Sequence, residues 1–253
     1  MNYYEVKAYN ATAIKAGAIS MLHMKHALDG DNEATAAMKR GTLQHRAVLE
    51  PETLRSLVVM EYDGRTKEGK ALVAEHGDNL IKPAAFAELS EVHRQVHQHP
   101  EVAGRGLLSG GVAEKEIYWR ENGRECKAKL DYIAPEHFIE YKTCNNLAGF
   151  ARSAAAMRYN LQLGWYWRAA YCFDGKYRQC FIIAQESKAP FDVAVFEVPR
   201  MHLEAWYNAA IEIVAKYESG DRSGAFPSLM QFELPAWAQG ASPEADPEAM
   251  IEF

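Results

Sequence analysis

The turn-forming residues Pro135-Glu136-His137 constrain the fold of this chain more than any other part of its sequence. Two short runs typical of strands flank them, residues 126–133 and 138–143. Side chains two positions apart on a strand share a face, so Glu140 and Lys142 point the same way. A tight connection around Pro135 brings Asp131 back beside them. The sequence therefore predicts two carboxylates and an ammonium group at one place on a sheet.

The segments around this hairpin predict an α/β domain. Residues 112–119 alternate as a strand does, and Asn122-Gly123 after them predicts a hairpin turn. One face of that strand carries Val112, Glu114, Glu116 and Tyr118. A helix, two strands and another helix follow at residues 147–171, 177–185, 192–198 and 201–218. This order predicts a central mixed sheet flanked by helices, with an N-terminal helical extension.

The N-terminal part is predicted to be mostly helical. Residues 10–50 are rich in Ala and Leu, and Gly30-Asp31-Asn32 breaks them into two pieces, the second of which ends at Pro51. Residues 84–97 predict a further helix, whereas residues 58–80 follow no clear pattern. We expect a single domain over residues 1–240, a helical part over 1–100, a core over 110–220, and an acidic, flexible tail over 241–253.

The composition is that of an ordinary globular protein. Of the 253 residues, 48% are hydrophobic and 25% are charged. No apolar run reaches the ~18 residues that cross a bilayer, and the first residues lack the pattern of a secretory signal. The four cysteines form no C-x-x-C pair, which favours buried reduced thiols over a zinc or disulfide framework. We therefore expect a cytoplasmic protein with no membrane partner.

The formal net charge of −6 argues at first against a nucleic-acid partner, but the charge is unevenly distributed. Residues 231–253 contain five acidic residues and no Lys or Arg. Residues 151–188 contain six basic residues against Asp174 and Glu186, namely Arg152, Arg158, Arg168, Lys176, Arg178 and Lys188. A locally basic middle permits DNA binding without requiring it.

The grouping of Asp131, Glu140 and Lys142 suits the hydrolysis of a phosphodiester. Mg²⁺ takes oxygen ligands from one or two carboxylates and keeps several waters. A bound metal makes water nucleophilic and neutralises charge on the phosphate, and a neighbouring Lys can orient that water. The D-x₈-E-x-K spacing is nevertheless weak evidence by itself. A solvated hairpin with a surface Glu–Lys pair is the simpler explanation of the spacing alone.

Five motifs stand in a fixed order along the chain. They are Gly41-Thr42-Leu43-Gln44-His45 with Leu49-Glu50-Pro51, Ala113-Glu114-Lys115-Glu116-Ile117-Tyr118-Trp119, Lys129-Leu130-Asp131 with Ile139-Glu140-Tyr141-Lys142-Thr143, Tyr159-Asn160-Leu161-Gln162-Leu163-Gly164-Trp165-Tyr166, and Leu234-Pro235-Ala236-Trp237-Ala238. Together they resemble the PD-(D/E)XK exonucleases typified by exodeoxyribonuclease VIII, which are related to the lambda-type exonuclease. Leu130 departs from the family pattern, since Pro often precedes the Asp, and the N-terminal lead-in also diverges.

The resemblance implies a restriction-endonuclease-like nuclease core with a metal site at the hairpin. Asp131, Glu140 and Glu114 are the expected carboxylate ligands, and Glu116 stays an alternative to Glu114 because it shares that face. The backbone carbonyl of Tyr141 is expected to complete the shell, and Lys142 to activate or position the attacking water. His45 matches the family's His and is expected at the metal or a phosphate, although a lone helix His is more often a packed or surface residue.

The helix predicted after the hairpin carries the remaining candidates. Tyr159, Gln162 and Tyr166 lie at offsets of 7, 10 and 14 from Arg152, which predicts one stripe of a single helix. Tyr159 and Tyr166 are expected to contact DNA, although core packing alone can explain the two tyrosines. The resemblance implies that Gln162 contacts the scissile region or a metal-bound water. Arg152 and Arg158 are expected to contact phosphates, although Arg158 lies off the stripe and fits a solvated face equally well.

The resemblance further implies a Mg²⁺-dependent deoxyribonuclease, with Mn²⁺ as an alternative ion. Relatives of this kind digest double-stranded DNA ends in the 5′ to 3′ direction and leave 3′ single-stranded tails for phage-type recombination. A ring-shaped homo-oligomer and a single-strand annealing protein are the implied partners. The acidic tail is expected to be a solubilising extension, with docking to that protein as the weaker alternative.

Three alternatives stay open. A helicase-associated or endonucleolytic PD-(D/E)XK nuclease shares the core, but the cysteine spacing fits no iron–sulfur cluster. A non-catalytic recombination scaffold would keep the fold after losing a ligand carboxylate or the Lys, and none is lost here. A small-molecule enzyme on an unrelated α/β fold would show a phosphate loop or nucleotide fingerprint, and the sequence contains neither.

Overall fold

The computed structural model describes residues 2–30 and 36–220, without the side chains of residues 36–40. The predicted tail and the motif around Trp237 lie outside these residues. Among the described residues, no helix combines the length and the apolar character needed to span a membrane.

A five-stranded mixed sheet forms the centre of the structure, as predicted. Its strands lie in the order β3-β4-β5-β6-β7, and only the β5–β6 pair is parallel. The strands are β3 (Val112–Glu121), β4 (Arg124–Ile133), β5 (His137–Cys144), β6 (Gln179–Glu186) and β7 (Val193–Val198). The β3–β4 turn is the predicted Asn122-Gly123, where both residues have positive φ, 50° and 79°, as a two-residue hairpin of this type requires.

Helices cover both faces of the sheet. One apolar cluster joins α1, α9 and α10 to Leu130, Phe138 and Ile182. The other joins α3 and α6 to Ile139 and Ile183. The helices are α1 (Ala11–Gly17), α2 (Met21–Asp29), α3 (Ala36–Leu49), α4 (Glu52–Ser56), α5 (Lys67–His76), α6 (Pro83–Gln98), α7 (Pro100–Arg105), α8 (Phe150–Ala156), α9 (Tyr159–Asp174) and α10 (Arg200–Glu218).

The N-terminal region is helical as predicted, but its first piece is two helices instead of one. Ser20 ends the continuous pattern because its hydroxyl accepts a hydrogen bond from the backbone N–H of His23 and so caps α2. The unassigned segment 58–80 contains two short parallel strands around α5, β1 (Val58–Val59) and β2 (Leu80–Ile81).

The single long helix predicted over residues 147–171 is wrong. The chain breaks between α8 and α9 at Arg158, which has a φ of 54°. A left-handed residue cannot continue a right-handed helix. The break lets α8 turn so that the Phe150 ring stacks on Phe196, with ring centroids 5.4 Å apart, and also contacts Tyr159 at the start of α9. Arg152 therefore does not share a helix with Tyr159, Gln162 and Tyr166.

Two glycines let the helices pack closely on this side of the sheet. A Cβ at Gly164 of α9 would lie 2.4 Å from the backbone nitrogen of Tyr207 in α10. A Cβ at Gly17 of α1 would lie 2.6 Å from Cγ2 of Ile213 in α10. Real Cβ contacts are not this short, so the approach of these helices depends on the missing side chains. This packing places α1 and α9 side by side.

We expect Gly164→Ala to lower the free energy of unfolding by about 1–3 kcal/mol, because the added methyl group meets backbone atoms that cannot move independently. Gly104→Ala is the matched control: a Cβ there meets nothing within 4 Å, so the helix-favouring alanine should change stability by no more than about +1 kcal/mol. Urea unfolding followed by circular dichroism measures both. Equal stability of the two variants would contradict the close packing of α9 on α10.

Candidate active site

Three carboxylates stand in one row across β3, β4 and β5. Ala113 pairs with Tyr132 and Lys115 pairs with Leu130, so Glu114 lies opposite Asp131. The β4–β5 pairing ends with Tyr132 opposite Ile139. The next residues along the two strands, Asp131 and Glu140, therefore face each other without backbone pairing. The β4–β5 pairing ends at this row, whereas the β3–β4 pairing is interrupted only at Glu114 and resumes at Lys115. The carboxylates therefore meet at an opening in the sheet.

The backbone at Glu114 has an unusual conformation for a strand. Its φ is 50°, a region that costs a non-glycine residue of order 1 kcal/mol. Ligand atoms of Glu114, Asp131 and His45 lie within 4.8 Å of one another. Lys129 neutralises part of this charge, with its Nζ 2.5 Å from Oε2 of Glu114. The residue with the strained backbone is thus the one whose carboxylate lies close to Asp131 and His45.

Glu116, the alternative to Glu114, lies elsewhere. Its side chain is exposed and accepts a hydrogen bond of 3.0 Å from the Tyr118 hydroxyl. The structure brings Glu114, and not Glu116, to His45 and Asp131. This placement supports Glu114 as the ligand, which stays a prediction.

Asp131 is held by the backbone of the neighbouring strand. The N–H of Tyr141 donates a hydrogen bond of 2.9 Å to Oδ2 of Asp131. A strand residue directs its N–H and C=O to the same edge, so the Tyr141 carbonyl also faces the side from which β4 has separated. Both groups predicted around this point, the Asp131 carboxylate and the Tyr141 carbonyl, therefore border the same opening.

His45 reaches the site from α3. Its Nδ1 lies 3.7 Å from Oδ2 of Asp131, and its ring packs edge-on against the Tyr141 ring, 4.8 Å away. Helix α6 fixes α3 in place, because ring nitrogens of His93 and His97 donate to the carbonyl oxygens of Ala47 and Val48 at 2.8 and 2.9 Å. The predicted helix His is therefore part of the carboxylate cluster.

Glu140 is the most enclosed group of the site. Its side chain is buried, and Oε1 accepts hydrogen bonds from the Lys142 ammonium and, at 2.7 Å, from Nε2 of Gln162. Oε2 is also buried but has no hydrogen-bond partner among the described residues. A buried carboxylate oxygen without a donor is costly, and a cation is one partner that would satisfy it.

Lys15, which our sequence analysis missed, completes this network. Its Nζ donates a hydrogen bond of 2.9 Å to Oε1 of Gln162. The centre of the Tyr159 ring lies near two ammonium groups, 5.6 Å from that of Lys15 and 5.0 Å from that of Lys142. Lys15 is the only charged residue of α1, among Ala, Ile and Gly. A lone charge on a short apolar helix was the signal that could have identified it.

The other helix residues divide into two groups. Tyr166 lies on the same side of α9 as Gln162, and burial followed by the charges of Glu140 and Asp131 raises its pKa. Arg152 is exposed on α8 and Arg158 is half-buried at the start of α9. The structure thus brings Tyr159, Gln162 and Tyr166 to the carboxylates, while Arg152 lies near the start of α8 and Arg158 at the break between the helices.

Two of the six basic residues counted in the middle of the sequence have internal roles. Arg168 pairs with Glu121 at 2.6 Å. Arg178 is buried, pairs with Asp174 at 2.6 Å and donates to the carbonyl of Ala134. These two charges stabilise the fold and contribute little to a positive surface, so the basic character of this segment is weaker than the sequence count indicates.

The protonation of the site reflects burial opposed by neighbouring charge. Burial raises the pKa of Asp131 to about 6, and burial together with Asp131 raises the pKa of Glu140 to about 7. Burial also disfavours the charge of Lys142, but Glu140 and Asp131 outweigh it and raise the Lys142 pKa. Burial, followed by the Lys142 charge, lowers the pKa of His45 to about 4, so His45 is neutral at physiological pH.

These residues fit a hard divalent cation. Glu114, Asp131, the unpartnered Oε2 of Glu140 and the Tyr141 carbonyl are oxygen donors, which Mg²⁺ and Mn²⁺ prefer. Neutral His45 can add a nitrogen ligand or orient Asp131. Glu140 stands outside the compact group of His45, Glu114 and Asp131, on the far side of Asp131. A cation in the opening of the sheet would have this group on one side and Glu140 on the other.

We expect the affinity of the DNA-free protein for Mn²⁺ to rise with pH. The folded pKa values of Asp131 and Glu140 are raised, so both carboxyls hold protons below about pH 6 and must lose them to bind a cation. Affinity should therefore rise by up to about tenfold per pH unit and per proton released between about pH 5.5 and pH 8. Calorimetric titration in two buffers of different ionisation enthalpy measures the protons released. An affinity that does not change over this range would contradict the protonated carboxyls.

The comparisons with known proteins agree with this geometry. Residues 11–226 match the family described as "PDDEXK-like domain of unknown function (DUF3799)". No curated protein matches the chain. Among solved structures, a protein of Eubacterium rectale described as a candidate exonuclease has a TM-score of 0.60 and 14% identity, covering 85% of this chain and 82% of that chain. This likeness shows the same fold.

A second similar structure is the alkaline exonuclease LHK-Exo of Laribacter hongkongensis. It has 13% identity and covers 70% of this chain and 92% of that chain, but its TM-score of 0.31 is too low to support an argument. The match over residues 11–226 spans most of the chain and includes every site residue described above. The chain therefore belongs to the PDDEXK-like family, and its fold is that of the PD-(D/E)XK nucleases.

Proposed function

We propose that this chain is a Mg²⁺-dependent exodeoxyribonuclease. The observation that carries the proposal is the arrangement of Asp131, Glu140 and Lys142: two carboxylates meet at an opening in the sheet, with the ammonium group on one of them. PD-(D/E)XK proteins use this combination for phosphodiester hydrolysis, and the family membership of the chain supports the same use here. Mn²⁺ is the expected alternative ion.

Each group of the site has a place in hydrolysis. A divalent cation held by Glu114, Asp131, Glu140 and the Tyr141 carbonyl would neutralise charge on the phosphate and lower the pKa of water. Lys142 borders the same opening, where its ammonium group orients the attacking water and offsets the negative charge that develops on the phosphate. Gln162 holds Oε1 of Glu140, which leaves Oε2 as the oxygen that would bind the cation.

The surroundings of the site suit a nucleic acid. Arg152 is exposed in the first turn of α8 and Arg158 is half-exposed at the α8–α9 break, and both would contact phosphates. Tyr159 lies against the Lys142 ammonium at the edge of the opening, and Tyr166 lies behind Gln162. The two arginines would position the strand, while the tyrosines would line its path to the metal.

The finer features of the activity follow from the resemblance to exodeoxyribonuclease VIII. On that basis we propose digestion of double-stranded DNA ends in the 5′ to 3′ direction, with 3′ tails passed to a single-strand annealing protein during phage-type recombination. We also propose a ring-shaped homo-oligomer and a cytoplasmic location. A helicase-associated or endonucleolytic nuclease and a non-catalytic scaffold are the competing functions, and cleavage of end-labelled and circular DNA distinguishes them.

We expect purified protein to release a 5′-terminal label from linear duplex DNA at once, and a 3′-terminal label late. EDTA should abolish release, and Lys142→Ala should lower the rate by about 10²-fold or more, because this variant removes a charge-stabilising donor. Lys70→Ala, which removes an exposed lysine of α5, is the control and should keep the rate. A closed-circular duplex should stay intact.

Other outcomes would each select another function. Cutting of the circle would indicate an endonuclease. Early release of the 3′ label would reverse the proposed polarity. DNA binding without cleavage in Mg²⁺ or Mn²⁺ would favour the scaffold.

We expect Arg152→Ala to weaken DNA binding to a similar extent for all sequences, since an interaction with a phosphate carries no base information. The slope of log K against log salt should fall by about 1 for each phosphate that the protein no longer neutralises. Arg105→Ala, which removes an exposed arginine of α7 paired with Glu101, is the matched control. Binding is measured with EDTA by fluorescence anisotropy. An unchanged slope would remove Arg152 from the interface.

A further inference from the structure

Lys15 lies inside the site, although none of the five sequence motifs includes it. It approaches from α1, the helix that Gly17 lets pack against α10, and its ammonium group ends at Oε1 of Gln162, 2.9 Å away. The ammonium group also lies 5.6 Å from the centre of the Tyr159 ring, and Lys15 forms no ion pair with a carboxylate among the described residues. Its partner is a neutral amide that in turn contacts Glu140.

The orientation of the Gln162 amide is determined by this contact. A lysine ammonium has three donors and no acceptor, so only the amide oxygen can face Lys15. The amide nitrogen then faces Glu140, where it donates to Oε1 at 2.7 Å. Oε1 already accepts from Lys142, so both donors supplied by the chain act on the same oxygen. The other oxygen, Oε2, is left buried and without a partner among the described residues.

Lys15 has two effects on the Gln162 amide: it fixes the orientation of the amide and it polarises it. Without it, the buried amide oxygen of Gln162 would lose the donor that Lys15 supplies and would be free to attract the Lys142 ammonium. A charged donor on the amide oxygen also polarises the amide and strengthens the hydrogen bond that its nitrogen donates. Lys15 therefore acts on Glu140 through Gln162.

We infer that Lys15 is a positioning residue, which fixes the Gln162 amide so that Oε1 of Glu140 is committed to protein donors and Oε2 is presented to the metal ion. This inference rests on the proposed function only in that the site binds a divalent cation. The role differs from that of a phosphate ligand, which would contact DNA and leave metal binding unchanged.

The test compares Mn²⁺ binding by the full chain without DNA, measured by electron paramagnetic resonance at one pH. Lys15→Met keeps the length of the side chain and removes the donor, and we expect affinity about 10–100-fold weaker, as for other partners of metal ligands. Lys15→Arg restores a charged donor and should stay within about threefold of the original affinity. Lys70→Met is the matched control and should bind as the original protein does.

A double-mutant cycle separates positioning from a general loss of structure. If Lys15 acts through Gln162, the pair Lys15→Met and Gln162→Met should bind Mn²⁺ about as Gln162→Met alone does, instead of showing the sum of both losses. Thermal unfolding in EDTA checks that each variant is folded. If Lys15→Met does not fold, Lys15→Gln replaces it, since its amide is too short to reach Gln162, and the same loss is expected.

DNA affinity in EDTA provides the opposing readout. It should change by less than about threefold in Lys15→Met, because one positioning residue contributes little to phosphate contacts. Unchanged Mn²⁺ binding in that variant overturns the inference, and a loss of DNA affinity with normal Mn²⁺ binding would make Lys15 a phosphate ligand. Additive losses in the cycle also overturn it. A wild-type chain that binds Mn²⁺ but cleaves no DNA overturns the proposed function alone, whereas one that binds no Mn²⁺ overturns both.

Discussion

The separation of β4 from β5 at Asp131 is the constraint on which the site depends. If the two strands continued to pair, the N–H of Tyr141 would join a backbone ladder. Instead it donates to the Asp131 carboxylate, and the Tyr141 carbonyl is left facing the opening. The sheet thus gives up backbone hydrogen bonds in its own centre and replaces them with ionisable groups. Burial then opposes the charge of Asp131 and Glu140, which makes a cation a favourable partner for both.

The helices on the two faces supply the remaining groups from opposite sides. Helix α3 brings His45 over Tyr141 and is fastened by two histidines of α6 that bind its last carbonyls. Helices α9 and α1 bring Gln162 and Lys15 to Glu140 from the other side. Three helices that pack near the opening, α1, α3 and α9, thus each contribute a polar side chain to the site.

Much of this arrangement could be predicted from the sequence, because it follows from local rules. The period-2 spacing of Glu140 and Lys142, the turn at Pro135 and the Asn122-Gly123 hairpin each determine geometry over a few residues. The helix break at Arg158, the left-handed Glu114 and the approach of Lys15 could not be predicted in this way. Each is imposed by packing between segments far apart in the chain, and none of these residue types favours the conformation or position that it adopts.

The backbone of Glu114 has a consequence for the wider family. Glycine and asparagine adopt a positive φ at little cost, whereas glutamate does not, so this position works against the preference of its own residue. A lineage that no longer needed a carboxylate there could relax the strain by a single substitution to either residue. On the metal-binding role that we propose for Glu114, the residue at this position should separate relatives that still use the carboxylate from those that have retained only the scaffold.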